Sequence, residues 1–375
     1  MLGYFPEILN KKSKLLSFEG VRFACAFSIL VLHYINLVEF FPQLDAPTVF
    51  RNPLLEKLRF FFGFGSWAVP VFWMLSGYIF YYQYAEKVYT RKVRGSEFFL
   101  LRFSRLYPLH LATLLGVGVL QFILQTNGLA GVEPNNNLEN FIKQLFFVSN
   151  WGMNPVRSFN GPVWSVSTEV LVYAFFFILV SRYGSALWPV VLNLGWSVVL
   201  NKSKSFEGGF VECVLFFFAG AMGYLAAQKI LQTPPGKKYF TLVLTVLLSW
   251  PLVGWGMGWM SAPKTFLLTF GPAFLVALAR IPLPSKGKIE AVLEEMGNLT
   301  YSSYMLHFGI NLLICGVIAK FSISPQILGH TGFVGCYFAG MLLLSSLCYH
   351  GFERPLQEFI RKRWVQRAPA ESKSD

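Results

Sequence analysis

The sequence predicts an all-α, polytopic membrane protein with about ten transmembrane helices and both termini in the cytoplasm. Three observations lead there. Of its 375 residues, 54% are hydrophobic and only 14% charged, against roughly 25% charged in soluble domains. There are 39 Phe, more large apolar side chain than a soluble core of this length can hide but an ordinary load for lipid. The apolar residues also fall in runs near the ~20 residues that a helix needs to cross a bilayer, with the basic residues gathered in the short connections between them.

Ten such runs follow in order, near 17–39, 60–83, 101–125, 161–181, 184–200, 210–228, 239–256, 264–280, 299–319 and 331–352. The first is longer than a signal-peptide core and no small-residue cleavage site follows it, so it reads as a span that stays. The fifth is short and contains Pro189, which makes it the weakest. Segment 141–152 is apolar but too short to span, so it is re-entrant or interfacial. The stretch 285–297 (SKGKIEAVLEEMG) reads as an amphipathic cytoplasmic helix. With the N-terminus inside, most of the 32 Lys and Arg fall on the cytoplasmic side, as the positive-inside rule requires. The net charge of +13 is therefore a matter of topology, with anionic headgroups or an anionic co-substrate as further uses, and no nucleic-acid partner is expected. The five cysteines all lie inside apolar runs without CxxC or metal-ligand spacing, so neither a disulfide framework nor a metal site is expected.

Ionisable groups inside spans are costly and each needs a reason. Arg22 and His33 are eleven residues apart. On a helix they point within about 20° of each other and sit roughly 16 Å apart along the axis. Arg22 lies near the cytoplasmic surface and His33 lies deep. The alternative is a snorkelling arginine and a histidine bonded to a neighbouring span. Arg102 and Arg105, in LLRFSRLYPLH, share one helix face at the cytoplasmic start of the third span. Two guanidinium forks in one place suit phosphate recognition, and a positive-inside anchor is the other reading. Glu169 closes the run GPVWSVSTE (161–169), about two turns into its span, with Trp164 and Ser165 nearer the outer surface. Such a carboxylate orients an imidazole, holds a substrate hydroxyl or pairs with a cation. His307 sits in LTYSSYMLH beside Tyr301 and Tyr304, a pattern as consistent with a hydrogen-bonded core residue as with a catalyst. His110 lies one to two turns beyond Arg105, and His330 and His350 fall near span ends. Taken together, the arginines would dock an anionic CoA head, and its arm would carry a thioester inward to His33, the natural base near neutral pH.

These stretches form an ordered set. SFEGVRFACAFSILVLHY (17–34) places an Arg, ten residues and a His on the first span. VPVFWMLSGYIF (69–80), Arg-x-x-Arg followed by Tyr-Pro (102–108), GPVWSVSTE (161–169), TYSSYMLH (300–307) and FERP (352–355) follow. In that order and over nearly the whole chain, the sequence resembles the acyltransferase-3 family of membrane O-acyltransferases, which acylate polysaccharides, O-antigen, Nod factors and macrolides. The resemblance implies that His33 is the catalytic histidine and that Glu169 lies with it in the functional core. Arg22, Arg102 and Arg105 would serve the acyl-CoA side, and Trp164, Ser165, Tyr301 and His307 would be substrate or core-motif residues. It also implies a donor, usually acetyl-CoA, taken from the cytoplasm as co-substrate, with no tightly bound cofactor. The acceptor would be a carbohydrate or glycolipid hydroxyl reached from the other side.

The resulting organisation is a cytoplasmic segment 1–16, a membrane acyltransferase domain 17–353 and a basic cytoplasmic tail 354–375, without the C-terminal SGNH domain of some relatives. The expected location is a bacterial inner membrane. Aromatics such as Trp67, Trp73, Trp151 and Trp164 would either stack on sugars near the outer opening or form an interfacial belt. The competing function is a secondary transporter or flippase using His33 and Glu169 as a proton relay. The absence of an internal repeat and the scarcity of broken-helix signals weigh against it.

Overall fold

The computed structural model describes residues 15–38, 40–41, 44, 51–128, 135–151, 156–203, 209–232, 263–279 and 287–365. Among these residues the regular structure is helical throughout. Helix α1 (Leu16–Val38) is followed by a short α2 (Pro53–Lys57) and a long α3 (Arg59–Phe80). A π turn (Tyr81–Ala85) and α4 (Glu86–Tyr89) prolong α3 without a break. Then come α5 (Gly95–Thr126), α6 (Leu138–Leu145), α7 (Val163–Tyr183), α8 (Leu187–Ser203), α9 (Gly209–Gln232), α10 (Pro263–Leu278) and α11 (Lys288–Lys320). A 3₁₀ turn (Pro325–Gly329) leads to α12 (Thr331–Cys348), a second π turn (Tyr349–Glu353), α13 (Arg354–Ile360) and a third π turn (Arg361–Val365).

Seven of these helical stretches are long and apolar enough to cross a bilayer. They correspond to the first four expected spans and to the sixth, ninth and tenth. Of the other three, 184–200 appears as α8 with 17 residues and 264–280 as α10 with 16 residues, both below the usual spanning length. The remaining one, 239–256, lies outside the described residues. The stretch 285–297 is no separate helix. From Lys288 onward it forms the first turns of α11, because Glu, Ala and Leu favour helix and nothing breaks the run before the apolar part begins. Gly297 within it leaves room for α1, since a Cβ there would run into the Glu19 carboxylate. Past Cys348 the chain stays helical to Val365, so the first residues of the expected tail are structured.

Lipid is as apolar as leucine, so helices in a bilayer associate through close packing and hydrogen bonds rather than through burial from water. Both devices are present. Helix α1 packs between α3 and α11, and α9 packs on α3, α7, α8 and α10. At the α3–α9 crossing, a Cβ at Gly77 would collide with the Phe217 carbonyl and one at Gly220 with the Met74 carbonyl. The two backbones touch there, and buried Phe80, Phe176 and Phe217 pack edge to face beside them. The hydrogen-bonding device is clearest around segment 136–161. His110 donates from Nε2 to the Gln144 carbonyl at 2.9 Å. Gln144 bonds the Ser158 carbonyl at 2.5 Å, and Asn160 bonds Thr113 at 3.1 Å. Ser167 donates to the Phe147 carbonyl at 2.6 Å and accepts from the Asn150 backbone at 3.1 Å. The described part of segment 141–152, up to Trp151, is thus the end of amphipathic α6 plus a loop folded back against α7, where its polar backbone atoms find partners.

Candidate active site

Arg22 is two turns from the start of α1, and Arg102 and Arg105 are two to three turns from the start of α5. All three reach one cavity of about 470 Å³, whose walls come from α1, α3 with its π turn, α5, α7, α11 and the third π turn. Glu169 from α7 faces into the same cavity, as do Ser76, Tyr84, Ser165, Tyr301, Tyr304 and Arg361. The structure therefore brings Arg22, Arg102, Arg105, Glu169, Ser165 and Tyr301 together from four helices, α1, α5, α7 and α11.

Each charged group there is held differently. Arg22 donates from Nη1 to Glu19 Oε2 at 2.8 Å, one helical turn earlier. Arg102 donates from Nη2 to the Tyr84 hydroxyl at 2.5 Å, and its guanidinium lies 5.0 Å from the ring centres of both Phe80 and Tyr84. These aromatic faces stabilise the cation, yet Arg102 Nε is buried with no hydrogen-bond partner. Arg105 Nη1 is 3.9 Å from Glu353 Oε1, and the other oxygen of Glu353 accepts from Ser302 at 2.7 Å. Glu169 Oε1 accepts from Ser76 Oγ and from Tyr173 OH, both at 2.6 Å. Ser165 and Tyr304 share a hydrogen bond of 2.7 Å, with the Pro162 carbonyl also accepting from Tyr304 at 2.9 Å. Tyr301 donates to the Leu106 carbonyl at 2.7 Å, which ties α11 to α5.

His33 does not line this cavity. It lies beyond the Ser165–Tyr304 end, in contact with His307, their ring centres 4.7 Å apart. His307 in turn touches Tyr304, with ring centres 5.7 Å apart. A row of side chains thus runs from the cavity through Tyr304 and His307 to His33. The His33 Nδ1 is 3.0 Å from the Ile29 carbonyl. A carbonyl only accepts, so Nδ1 carries the proton and Nε2 holds the free lone pair. The backbone carbonyl of His33 accepts from Asn311 Nδ2 at 3.1 Å, and Asn311 is fixed by the Tyr337 hydroxyl at 2.7 Å. His307 is fully buried, and neither ring nitrogen has a hydrogen-bond partner. Among the described residues no hydrogen bond or ion pair joins Glu169 to His33, so the carboxylate belongs to the arginine cavity and not to the imidazole.

Trp164 packs at a right angle on buried Trp73, 5.8 Å between ring centres, and is itself 38% exposed. Four further cavity or cavity-edge residues were not singled out from sequence: Tyr84, Ser76, Tyr173 and Arg361. Ser76 lies inside VPVFWMLSGYIF, where its polarity in an apolar run was the available signal. Arg361 was one basic residue among several in the C-terminal segment, and nothing local distinguishes it.

A family model described as an acyltransferase domain matches residues 15–350. Acyltransferase MdmB of Streptomyces mycarofaciens is 31% identical over 165 residues, which cover 44% of this chain and 38% of that protein. The exopolysaccharide production protein ExoZ of Rhizobium meliloti (strain 1021) is 28% identical over 333 residues, 83% of this chain and 95% of that protein. No solved structure matches.

Proposed function

The chain belongs to the acyltransferase-3 family, and from that premise we propose that it moves an acyl group from cytoplasmic acyl-CoA to a hydroxyl of an extracytoplasmic carbohydrate or glycolipid. Acetyl is the first acyl group to test. The observation that carries this reading is a cavity with arginines at one end and Tyr304 at the other, from which His307 leads on to His33 and its free lone pair. An anionic CoA head suits the guanidiniums of Arg22, Arg102 and Arg105, because each offers planar paired donors to phosphate. Arg22 and His33 are roughly 16 Å apart along α1, a distance suited to an extended pantetheine arm, so the thioester would come to rest near Tyr304 and His307.

In the transfer step the acceptor oxygen attacks the thioester carbonyl carbon while His33 Nε2 takes the hydroxyl proton. The C–S bond then breaks and the proton passes to the departing thiolate, giving ester and free CoA. The Nδ1 bond to Ile29 fixes the tautomer that this role requires. Glu169, held by Ser76 and Tyr173, shapes the cavity wall along which the arm lies. Exposed Trp164 offers a face for a sugar ring. The polysaccharide-related name of one relative supports a carbohydrate acceptor. The arginine end faces the cytoplasm on this reading, as the charge distribution of the sequence favours, and the membrane is the bacterial inner membrane.

The test is release of free CoA from acetyl-CoA by the purified protein, with and without a crude glycan extract, for wild type and His33→Ala. Extract-dependent release that His33→Ala abolishes is the expected result. Release undiminished by His33→Ala would remove the base from this mechanism. No release with any acyl-CoA, together with proton-coupled solute uptake in vesicles, would favour a transporter.

A further inference from the structure

Three π turns occur among the described residues, and each supplies a partner to one short stretch of α5. Tyr84 of the first accepts from Arg102, and Glu353 of the second faces Arg105. Arg361 of the third donates from Nε to Ser104 Oγ at 3.2 Å. Turns of this kind frequently mark functional sites. Arg361 lies beyond residue 350, where the family match ends, yet its side chain lines the same cavity as Arg22, Arg102 and Arg105.

The charges in this corner do not balance. Glu19 pairs with Arg22, and Glu353 faces Arg105 at 3.9 Å. Among the described residues neither Arg102 nor Arg361 has a carboxylate within ion-pair distance. Four guanidiniums converge on one half-enclosed space, and such like-charge crowding is costly until an anion answers it. Arg102 Nε is already buried without an acceptor. The bond from Arg361 Nε to Ser104 fixes its side chain while the two terminal nitrogens keep the paired geometry that fits phosphate oxygens. A topology anchor would need none of this, because it serves equally well facing headgroups.

We propose that Arg361 is a phosphate-binding residue of the donor pocket. With Arg102 and Arg105 it holds the adenosine 3′,5′-bisphosphate end of acyl-CoA. This inference rests on the acyl-CoA reading given above. A phosphate monoester brings close to two negative charges at neutral pH, which matches the two arginines that lack a carboxylate.

The experiment uses the full chain in phosphatidylcholine nanodiscs, as wild type, Arg361→Gln and Arg361→Lys. Equilibrium binding of adenosine 3′,5′-bisphosphate is measured first, independently of turnover. Arg361→Gln retains a side-chain donor toward Ser104, and its melting temperature checks that the fold is intact. The expected result is binding weakened roughly tenfold or more in Arg361→Gln and partly restored in Arg361→Lys. The KM for acetyl-CoA rises in parallel, while kcat and the kinetics with acetyl-pantetheine, which lacks the nucleotide, stay as in wild type. Unchanged bisphosphate binding in Arg361→Gln overturns the proposal. An equal loss with acetyl-pantetheine also overturns it, by showing a structural brace. Nanodiscs with phosphatidylglycerol supply the third arm: competition with the bisphosphate in wild type but not in Arg361→Gln would make the site a lipid headgroup site and overturn it too. Absence of acetyl-CoA turnover in wild type, with bisphosphate binding still dependent on Arg361, would instead sink the transferase reading and leave the phosphate site standing.

Discussion

At the Arg22 end of the site, most charged groups are held in advance. Arg22 has Glu19, Arg102 has Tyr84 and two aromatic faces, and Glu169 has two hydroxyl donors. Around His33 the opposite holds. The His33 ring makes one backbone bond, and His307 is sealed from solvent with both ring nitrogens unpartnered. A buried polar atom without a partner is costly, so the two regions spend their stability on different ends. The arginine region is preorganised to receive an anion, and its donors are fixed before the anion arrives. The histidine region keeps lone pairs and N–H groups free, as proton transfer requires. The arginine region leaves one buried donor, Arg102 Nε, open toward the anion, and the histidine region leaves both ring nitrogens of His307 open.

That contrast can be broken at either end. The largest effect is expected from His33→Ala, which should lower kcat for acyl transfer by about 10²–10⁴-fold, the usual reach of general-base catalysis. KM for acyl-CoA should stay near wild type in steady-state CoA-release assays, and a change in KM alone would place His33 in binding. Next comes Arg102→Ala. Removing a charge-assisted donor worth about 1.5–3 kcal/mol should raise KM for acyl-CoA about 10- to 100-fold with little change in kcat. Added salt should blur the difference between variant and wild type.

Glu169 separates acceptor geometry from charge. Glu169→Gln keeps a carbonyl oxygen for Ser76 and Tyr173, whereas Glu169→Leu leaves the hydroxyl of buried Tyr173 unpaired at about 1–3 kcal/mol and that of half-buried Ser76 unpaired at a smaller cost. Thermal melting in detergent should show a clear drop for Leu and a small one for Gln, and equal drops would mean that these bonds contribute nothing. The smallest effect belongs to Asn311→Leu. It removes the bonds to the His33 carbonyl and the Tyr337 hydroxyl, about 0.5–1.5 kcal/mol each. Its melting temperature should fall modestly, with kcat falling more than KM rises because His33 loses its support.

The features that were legible in the sequence are those carried by local spacing. A separation of eleven from Arg22 to His33 on an uninterrupted apolar run puts both on one face of α1, and a separation of three from Arg102 to Arg105 does the same on α5. Both faces turned inward, but only the arginines reached the cavity, because α11 brings Tyr304 and His307 between the cavity and His33. That arrangement depends on how α1, α7 and α11 cross, and no local pattern encodes a crossing. The bond from Arg361 to Ser104 joins positions 257 apart in sequence. For Glu169 the sequence shows a carboxylate inside a span but leaves open whether it serves an imidazole, a hydroxyl or a cation. Its partners Ser76 and Tyr173 hold it in the cavity, and of these only Tyr173 is on the same helix. The spans were legible through length and apolarity: 184–200, short and carrying Pro189, forms a helix of 17 residues, whereas 264–280, expected as a full span, also comes out short at 16.

The first two π turns carry a further consequence, concerning chain length rather than side-chain identity. A turn that closes from residue i to i+5 holds one residue more than an α turn needs. Deleting a single residue from Tyr81–Ala85 or Tyr349–Glu353 lets the flanking helices meet in ordinary register. Helix packing on either side can then persist while Tyr84 or Glu353 swings away from α5. One-residue gaps at these two places are therefore a route by which a chain of this architecture can keep its membrane fold and exchange its ligand.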